Sequence, residues 1–177
     1  MSQPNSPQPA KLVIGVFTND KRLLAPVLNS LTKQFGGMDM ISPWIAFDYT
    51  RYYEREMGPD LVRRMMAFKP LINQADLSTI KLATNAIELE CAIGARRNIN
   101  IDPGYMLRER FVLATGKNFA HRIYIGNRIY ADLTLLFQKG AFQILPWTYP
   151  DYKDGRIQSF LHQVRNKYIK DLAELES

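Results

Sequence analysis

Residues 96–137, RRNINIDPGYMLRERFVLATGKNFAHRIYIGNRIYADLTLLF, constrain the fold more than any other stretch of the chain. They set its densest polar chemistry among its most strand-like segments. Asn98-Ile99-Asn100-Ile101-Asp102 alternates polar and apolar residues with the period of a half-buried strand. Pro103-Gly104 is expected to stop that strand, leaving Asp102 at its end. Residues 105–114 carry no decisive period. Thr115-Gly116-Lys117-Asn118 then reads as a loop, followed by the cationic pair His121-Arg122. Residues 123–125 and 129–137 are β-rich and are separated by Gly126-Asn127-Arg128, a short hairpin turn. Polar loops at strand ends carry function readily, because a rigid frame holds side chains that need not pack.

Upstream, residues 11–17 (KLVIGVF) have the length of a buried strand. Asp20 is placed to cap a helix in which Leu23, Leu24, Val27, Leu28, Leu31 and Phe35 recur at helical spacing. Pro26 lies beyond the favoured first position, which implies a late start or a bend, and Gly36-Gly37 supplies a stop. Residues 43–47 suggest a second strand, and residues 63–68 a third that Pro70 ends. A helix over residues 76–93 puts Leu77, Ile80, Ala83, Ile87 and Cys91 on one stripe, with Gly94 as C-cap. Lys81, Asn85 and Glu88, spaced i, i+4, i+7, fall on the opposite face and read as solvated. Residues 140–145 suggest a further strand, and the aromatic loop at residues 146–152 a packed lid under a closing helix over residues 155–175. The order matches an α+β chain: a single-domain α/β sandwich with a ferredoxin-like split β-α-β core, a β-hairpin extension and a C-terminal helix. A different α/β sandwich with a mixed sheet is the alternative.

Length fits this reading, since 177 residues can bury one real core. Residues 1–10 (MSQPNSPQPA) read as a disordered tail and residues 11–177 as a single globular domain. The tail has neither the basic end nor the apolar core of a signal peptide, and no run of 18 or more apolar residues marks a membrane span. The single cysteine, Cys91, excludes an intramolecular disulfide and disfavours a cysteine-built metal site, so a cytoplasmic setting is expected. A formal charge of +6 favours an anionic partner such as nucleic acid, nucleotide or phosphorylated metabolite. The cations are nevertheless scattered in pairs, Lys21-Arg22, Arg63-Arg64 and Arg96-Arg97, rather than gathered in a block.

The segments FDYTRYYEREMG, RNINIDPGYM, TGKNFAHRIYIG, IYADLTLLF and LPWTYPDY, in that order, resemble the bacterial and archaeal domain-of-unknown-function family 4416. The similarity runs from about Lys11 into the closing helix. The resemblance implies no activity, cofactor or site residue, so these rest on the residues themselves.

No conventional P-loop is present: the one Gly-Lys pair, Gly116-Lys117, lacks the upstream glycine and is followed by Asn118. Lys117, His121 and Arg122 could instead hold an anion near a loop. A magnesium or manganese site could draw on Asp48, Glu54, Glu56 and Asp102, although those carboxylates could equally cap turns or pair with Arg51 and Arg55. His121 suits proton transfer at neutral pH if Asp102 orients it; otherwise it caps or packs at a strand start. Aromatics interleaved with cations at Tyr49–Tyr53 and in the Trp147 loop could stack on RNA, though the sequence signature of such modules is missing. The leading expectation is an enzyme or ligand-binding protein for a phosphorylated or otherwise anionic small molecule. Its site would gather Asp48, Tyr52, Glu54, Asp102, Lys117, His121 and Arg122. Lys117 and Arg122 would hold the anion, His121 would move a proton, and Asp102 or Glu54 would orient it or hold a metal. An RNA-binding module and a protein-interaction or scaffold module are the alternatives.

Overall fold

The structure, a computed structural model, describes residues 1–94 and 96–175. Its strands are β1 (Ala10–Thr18), β2 (Met38–Ile41), β3 (Ile45–Ala46), β4 (Val62–Ile72), β5 (Ile99–Met106), β6 (Arg110–Thr115), β7 (Arg122–Tyr124), β8 (Tyr130–Gln138) and β9 (Ala141–Ile144). Its α-helices are α1 (Leu24–Phe35), α2 (Glu54–Met57), α3 (Leu77–Glu90) and α4 (Gly155–Leu175). The strands join one antiparallel sheet ordered β2-β4-β1-β5-β6-β8-β7, with β3 on β4 and β9 on β8. The fold is α+β.

β1 lies inside the sheet and is buried along its whole length, which is why its sequence reads as an unbroken apolar run. Period two sends Leu12, Ile14 and Val16 to one face, where they pack with Val27 and Leu31 of α1 and Ile80 and Ile87 of α3. Ala10 and Val13 join the opposite core, built on Ile157, Leu161, Val164, Tyr168 and Leu172 of α4. The sheet is therefore a middle layer, with α1 and α3 on one side and α4 on the other. Lys11 is fully buried on β1, where its ammonium meets Asp39 of β2 at 2.5 Å and Asp171 of α4 at 2.6 Å. This ion triad ties the edge of the sheet and the last helix to its central strand.

Several expectations need correction. Residues 43–47 yield only the two-residue β3, and β2, four residues long, is too short to display a period. β4 runs through Pro70 to Ile72. The β1–β4 register shifts between Lys11 and Val13, which pair with Leu71 and Ala67, so Pro70 sits in an irregular stretch where no ladder N–H is required. β5 likewise continues through Pro103-Gly104, and Asp102 lies mid-strand rather than at an end. α3 stops at Glu90, short of residue 93. The first β-strand opens one residue before Lys11, and the carbonyl of Pro9 already accepts the Tyr168 hydroxyl at 2.7 Å.

Other expectations match. α1 starts late, at Leu24, behind a 3-10 turn (Lys21–Leu23) that Asp20 caps by accepting the Arg22 N–H, so Pro26 falls in the first turn where its missing donor costs little. The β7–β8 hairpin turns at Gly126, Asn127 and Arg128, all with positive φ. α4 spans residues 155–175 as its periodicity predicts. Among the described residues, no helix is long and apolar enough to cross a membrane.

Candidate functional site

The site begins where the sheet splits. β5 stays paired with β1 from Ile99 to Met106, but it pairs with β6 only from Gly104 to Met106, while β6 follows β8 as far as Thr115. Where the two strands converge, a Cβ on Gly104 would lie 2.4 Å from the Val112 carbonyl oxygen, so only glycine fits. Beyond that point β5 has a bare edge. Buried backbone groups left unpaired cost about 1–3 kcal/mol each, and α3 supplies what β6 does not. Glu88 Oε1 accepts the Ile101 N–H at 2.6 Å, and Lys81 Nζ donates to the Ile101 carbonyl at 2.8 Å. Alternation along the strand aims the Pro103 nitrogen at the same departing edge, where proline has no N–H to orphan.

The gap opens into a cleft of about 720 Å³, with α3 on one side and the 3-10 turn Pro150–Lys153 on the other. A chain of polar contacts forms its floor. Glu88 lies 3.9 Å from Lys81 and 3.7 Å from Arg97, and Arg97 makes a two-pronged pair with Glu56 at 2.8 and 2.7 Å. Arg97 also donates to Asn100 at 3.0 Å, Asn100 donates to Asp102 at 2.8 Å, and Asp102 accepts from the buried Arg63 at 3.1 Å. Arg63 pairs in turn with Asp151 and donates to the Tyr152 hydroxyl at 3.2 Å. Space for its guanidinium comes from Gly15, where a Cβ would lie 2.8 Å from Nη2. Burial raises the Glu88 carboxyl above its ordinary pKa against the pull of Lys81, whereas hydrogen bonds from Arg97 hold Glu56 below its own.

Eight aromatic rings line the walls: Phe17, Phe47, Tyr49, Tyr52, Tyr53, Phe119, Tyr149 and Tyr152. Phe17 and Phe47 stack at 4.4 Å, with Tyr53 edge-on to Phe17 at 4.8 Å, and this cluster seats the Tyr49–Tyr53 segment ahead of α2. Burial, with Asp102 adding to it, pushes the Tyr53 phenol up to about 12, so it stays neutral across the physiological range. Arg122 fixes the opposite lip. Its guanidinium donates to Asp132 at 2.8 Å, to the Lys117 carbonyl at 2.9 Å and to the Tyr149 hydroxyl, which sets the loop that carries Lys117. Lys117 itself is exposed; its ammonium reaches the Tyr52 hydroxyl at 3.3 Å and lies 4.7 Å from that ring.

Of the residues the sequence singled out, Tyr52, Asp102, Lys117 and Arg122 line this cleft. Asp48, Glu54 and Glu56 all stand outside the lining; the first two are exposed, and Glu56 is half-buried against Arg97. His121 takes Asp132, at 3.2 Å, rather than Asp102 as its carboxylate, and its ring stacks on Trp147 at 5.0 Å. The expected Asp102–His121 pair does not form because β6 and β8 lie between β5 and β7. Three strand spacings amount to about 14 Å. Asp48, Glu54, Glu56 and Asp102 are likewise not gathered: among the described residues, no group of three or more His, Cys, Asp or Glu side chains could hold a metal ion. Sequence reasoning left Arg63, Arg97 and Asp151 out of the expected site, offered Tyr149 and Tyr152 only as part of a stacking loop or packed lid, and misplaced the Lys81, Asn85 and Glu88 face. Lys81 and Glu88 are buried, 8% and 5% exposed, and face the cleft. One signal was available, a lysine and a glutamate seven residues apart on a helix followed by a strand with a proline in it.

No curated protein and no solved structure matches the chain. Residues 8–168 of 177 match the family described as Domain of unknown function (DUF4416), in agreement with the resemblance read from its motifs. With nine-tenths of its length covered by that match, the chain belongs to the DUF4416 family.

Proposed function

We propose that the cleft binds a small anionic molecule, phosphorylated or carboxylated, that also carries a planar ring. One observation carries the reading. Among the described residues, four cationic side chains line the cleft; Lys81, Arg97 and Arg122 each face a carboxylate, whereas the only side-chain partner of Lys117 is the neutral Tyr52 hydroxyl. Lys117 is the anion holder, and the aromatic walls supply faces for the ring. Arg122 serves as a positioning residue, since each of its guanidinium nitrogens already has a protein partner.

A finer reading of the fold goes with this. The strand order β2-β4-β1-β5, with α1 and α3 crossing on one face, fits a ferredoxin-like split β-α-β core, to which β6–β9 and α4 are added. Support for the RNA-binding alternative is weaker, because α4 covers the sheet face that such modules leave open. A cytoplasmic setting is supported by the single, unpaired cysteine.

A thermal-shift series with inorganic phosphate, pyrophosphate, benzoate and phenyl phosphate tests the site. Phenyl phosphate is expected to stabilise most. A ligand at a hundred times its dissociation constant adds about 2.7 kcal/mol, or a shift of about 5–11 °C in a chain of this size. Lys117→Ala should remove the shift while leaving the unliganded melting temperature within about 1 °C, as for an ordinary surface change. Equal shifts in the variant and the parent chain would place the anion elsewhere.

A further inference from the structure

The far side of the cleft holds two polar groups that the protein leaves unused. Glu88 spends Oε1 on the Ile101 N–H, but Oε2 has no hydrogen bond, its nearest cation being Arg97 Nη1 at 3.7 Å. The Arg97 side chain is already engaged by Glu56 and Asn100. Asn85, one helical turn before Glu88, also lines the cleft, and its side-chain amide makes no hydrogen bond among the described residues. Among the described residues Glu88 Oε2 is not one of the fully buried side-chain atoms that lack a partner, which are Asp39 Oδ1 and Arg63 Nε; it opens onto the cleft, where a ligand can supply its donor. Burial raises the pKa of the Glu88 carboxyl, and an added hydrogen-bond donor would favour its charged form.

Resting on the reading of Lys117 as the anion holder, we propose that the ligand is a planar nitrogen heterocycle with an exocyclic amine, joined to an acidic group. The exocyclic amine donates to Glu88 Oε2, and the adjacent ring nitrogen accepts from the Asn85 amide. Depth sets the order of the two contacts: Glu88 is the more buried residue, and an exocyclic amine projects furthest from the end of the ring that carries the acidic group. The aromatic walls between α3 and Lys117 hold the ring by its faces. A volume of about 720 Å³ is ample for a molecule of this kind. A carboxylate can only accept at this position, so an isosteric ligand with a carbonyl in place of the amine meets acceptor against acceptor.

The test uses two pairs of 5′-mononucleotides that differ by that exchange, AMP against IMP and CMP against UMP, with pyrophosphate as a ringless control. Binding is measured by calorimetry at pH 8, far above the ordinary carboxylate range. The amino member of each pair is expected to bind about tenfold more tightly, the worth of one properly matched hydrogen bond to a charged group. Glu88→Gln, which keeps an oxygen for the Ile101 N–H and can also donate, should erase or invert the preference. Asn85→Ala, at a half-buried helix position, should weaken both amino members with the fold intact by circular dichroism. Equal affinity within each pair, a preference for IMP or UMP, or indifference to Glu88→Gln overturns the inference. Lys117-dependent binding of pyrophosphate with no nucleotide binding overturns it too, yet leaves the anion site standing. Absence of both overturns the inference and the site together.

Discussion

Replacing Lys11 with methionine tests the arrangement on which the whole sheet is hung. Lys11 is fully buried on the central strand, and its ammonium is shared by Asp39 and Asp171, whose side chains are 8% and 11% exposed. Lys11→Met preserves the aliphatic stem and removes the charge, leaving two carboxylates facing each other in a poorly solvated space. Removing one partner of a buried ionic group costs about 3–5 kcal/mol, which for a chain of this length lowers the melting temperature by about 6–20 °C. The pH dependence has a definite sign. Burial pushes the Asp171 pKa up, but hydrogen bonds from Lys11 and Lys167 outweigh it and hold it below its ordinary value. In the parent protein that stabilisation is present above the ordinary carboxylate range and is lost as pH falls through the folded-state pKa. The variant has less to lose, so the two stabilities converge in acid. Urea unfolding followed by circular dichroism at pH 7 and pH 3.5 measures both quantities. A loss under about 1 kcal/mol at pH 7, or a gap that stays constant into acid, refutes the reasoning. Adding Asp39→Asn and Asp171→Asn to Lys11→Met should recover much of the loss, because no buried charge then lacks a partner.

Two further outcomes follow from the floor of the cleft. Gly15→Ala drives a methyl group to within 2.8 Å of the Arg63 guanidinium and 3.0 Å of Met65, with a cost of about 1–3 kcal/mol in chemical denaturation. Arg97→Ala releases Glu56 and with it α2, so trypsin should cut after the exposed Arg51 and Arg55 several-fold faster at pH 7. Acid should mimic that variant in the parent chain: Arg97 keeps the Glu56 carboxyl ionised below its ordinary pKa, and the clasp loosens only as pH falls through that lowered value.

What the sequence reveals here follows the range of the interactions involved. β1 and α4 are legible because each writes its burial into its own residues, one as an apolar run and the other as a stripe with period 3.6. The β7–β8 hairpin is legible because its turn needs positive φ at Gly126 and Asn127. The cleft is not, because it arises from a mismatch between ladders: β5 extends past its pairing with β6, and nothing local to either strand says so. Pro103 therefore reads as a stop although it marks a vacated edge. Lys81 and Glu88 read as solvated for the same reason, since a polar helix face turned toward water and one turned toward unpaired backbone have the same spelling. Lys117, Arg122, Tyr52 and Asp102, singled out in the sequence, fall in the lining because loops and strand edges concentrate polar side chains, while the pairing of His121 depends on strand order, which composition does not encode.

The central place of β1 also fixes when the molecule can become itself. β1 is flanked in the finished sheet by β4 and β5, whose residues begin at Val62 and Ile99, and its lysine is neutralised by an aspartate 160 positions away. During synthesis this apolar segment emerges with neither neighbour available, and α4 cannot cover it until residues 155–175 have been made. Pairing between strands so far apart in sequence makes folding slow. The hazard it carries is therefore not in the native state but in the nascent chain, where KLVIGVF is a bare strand waiting for partners.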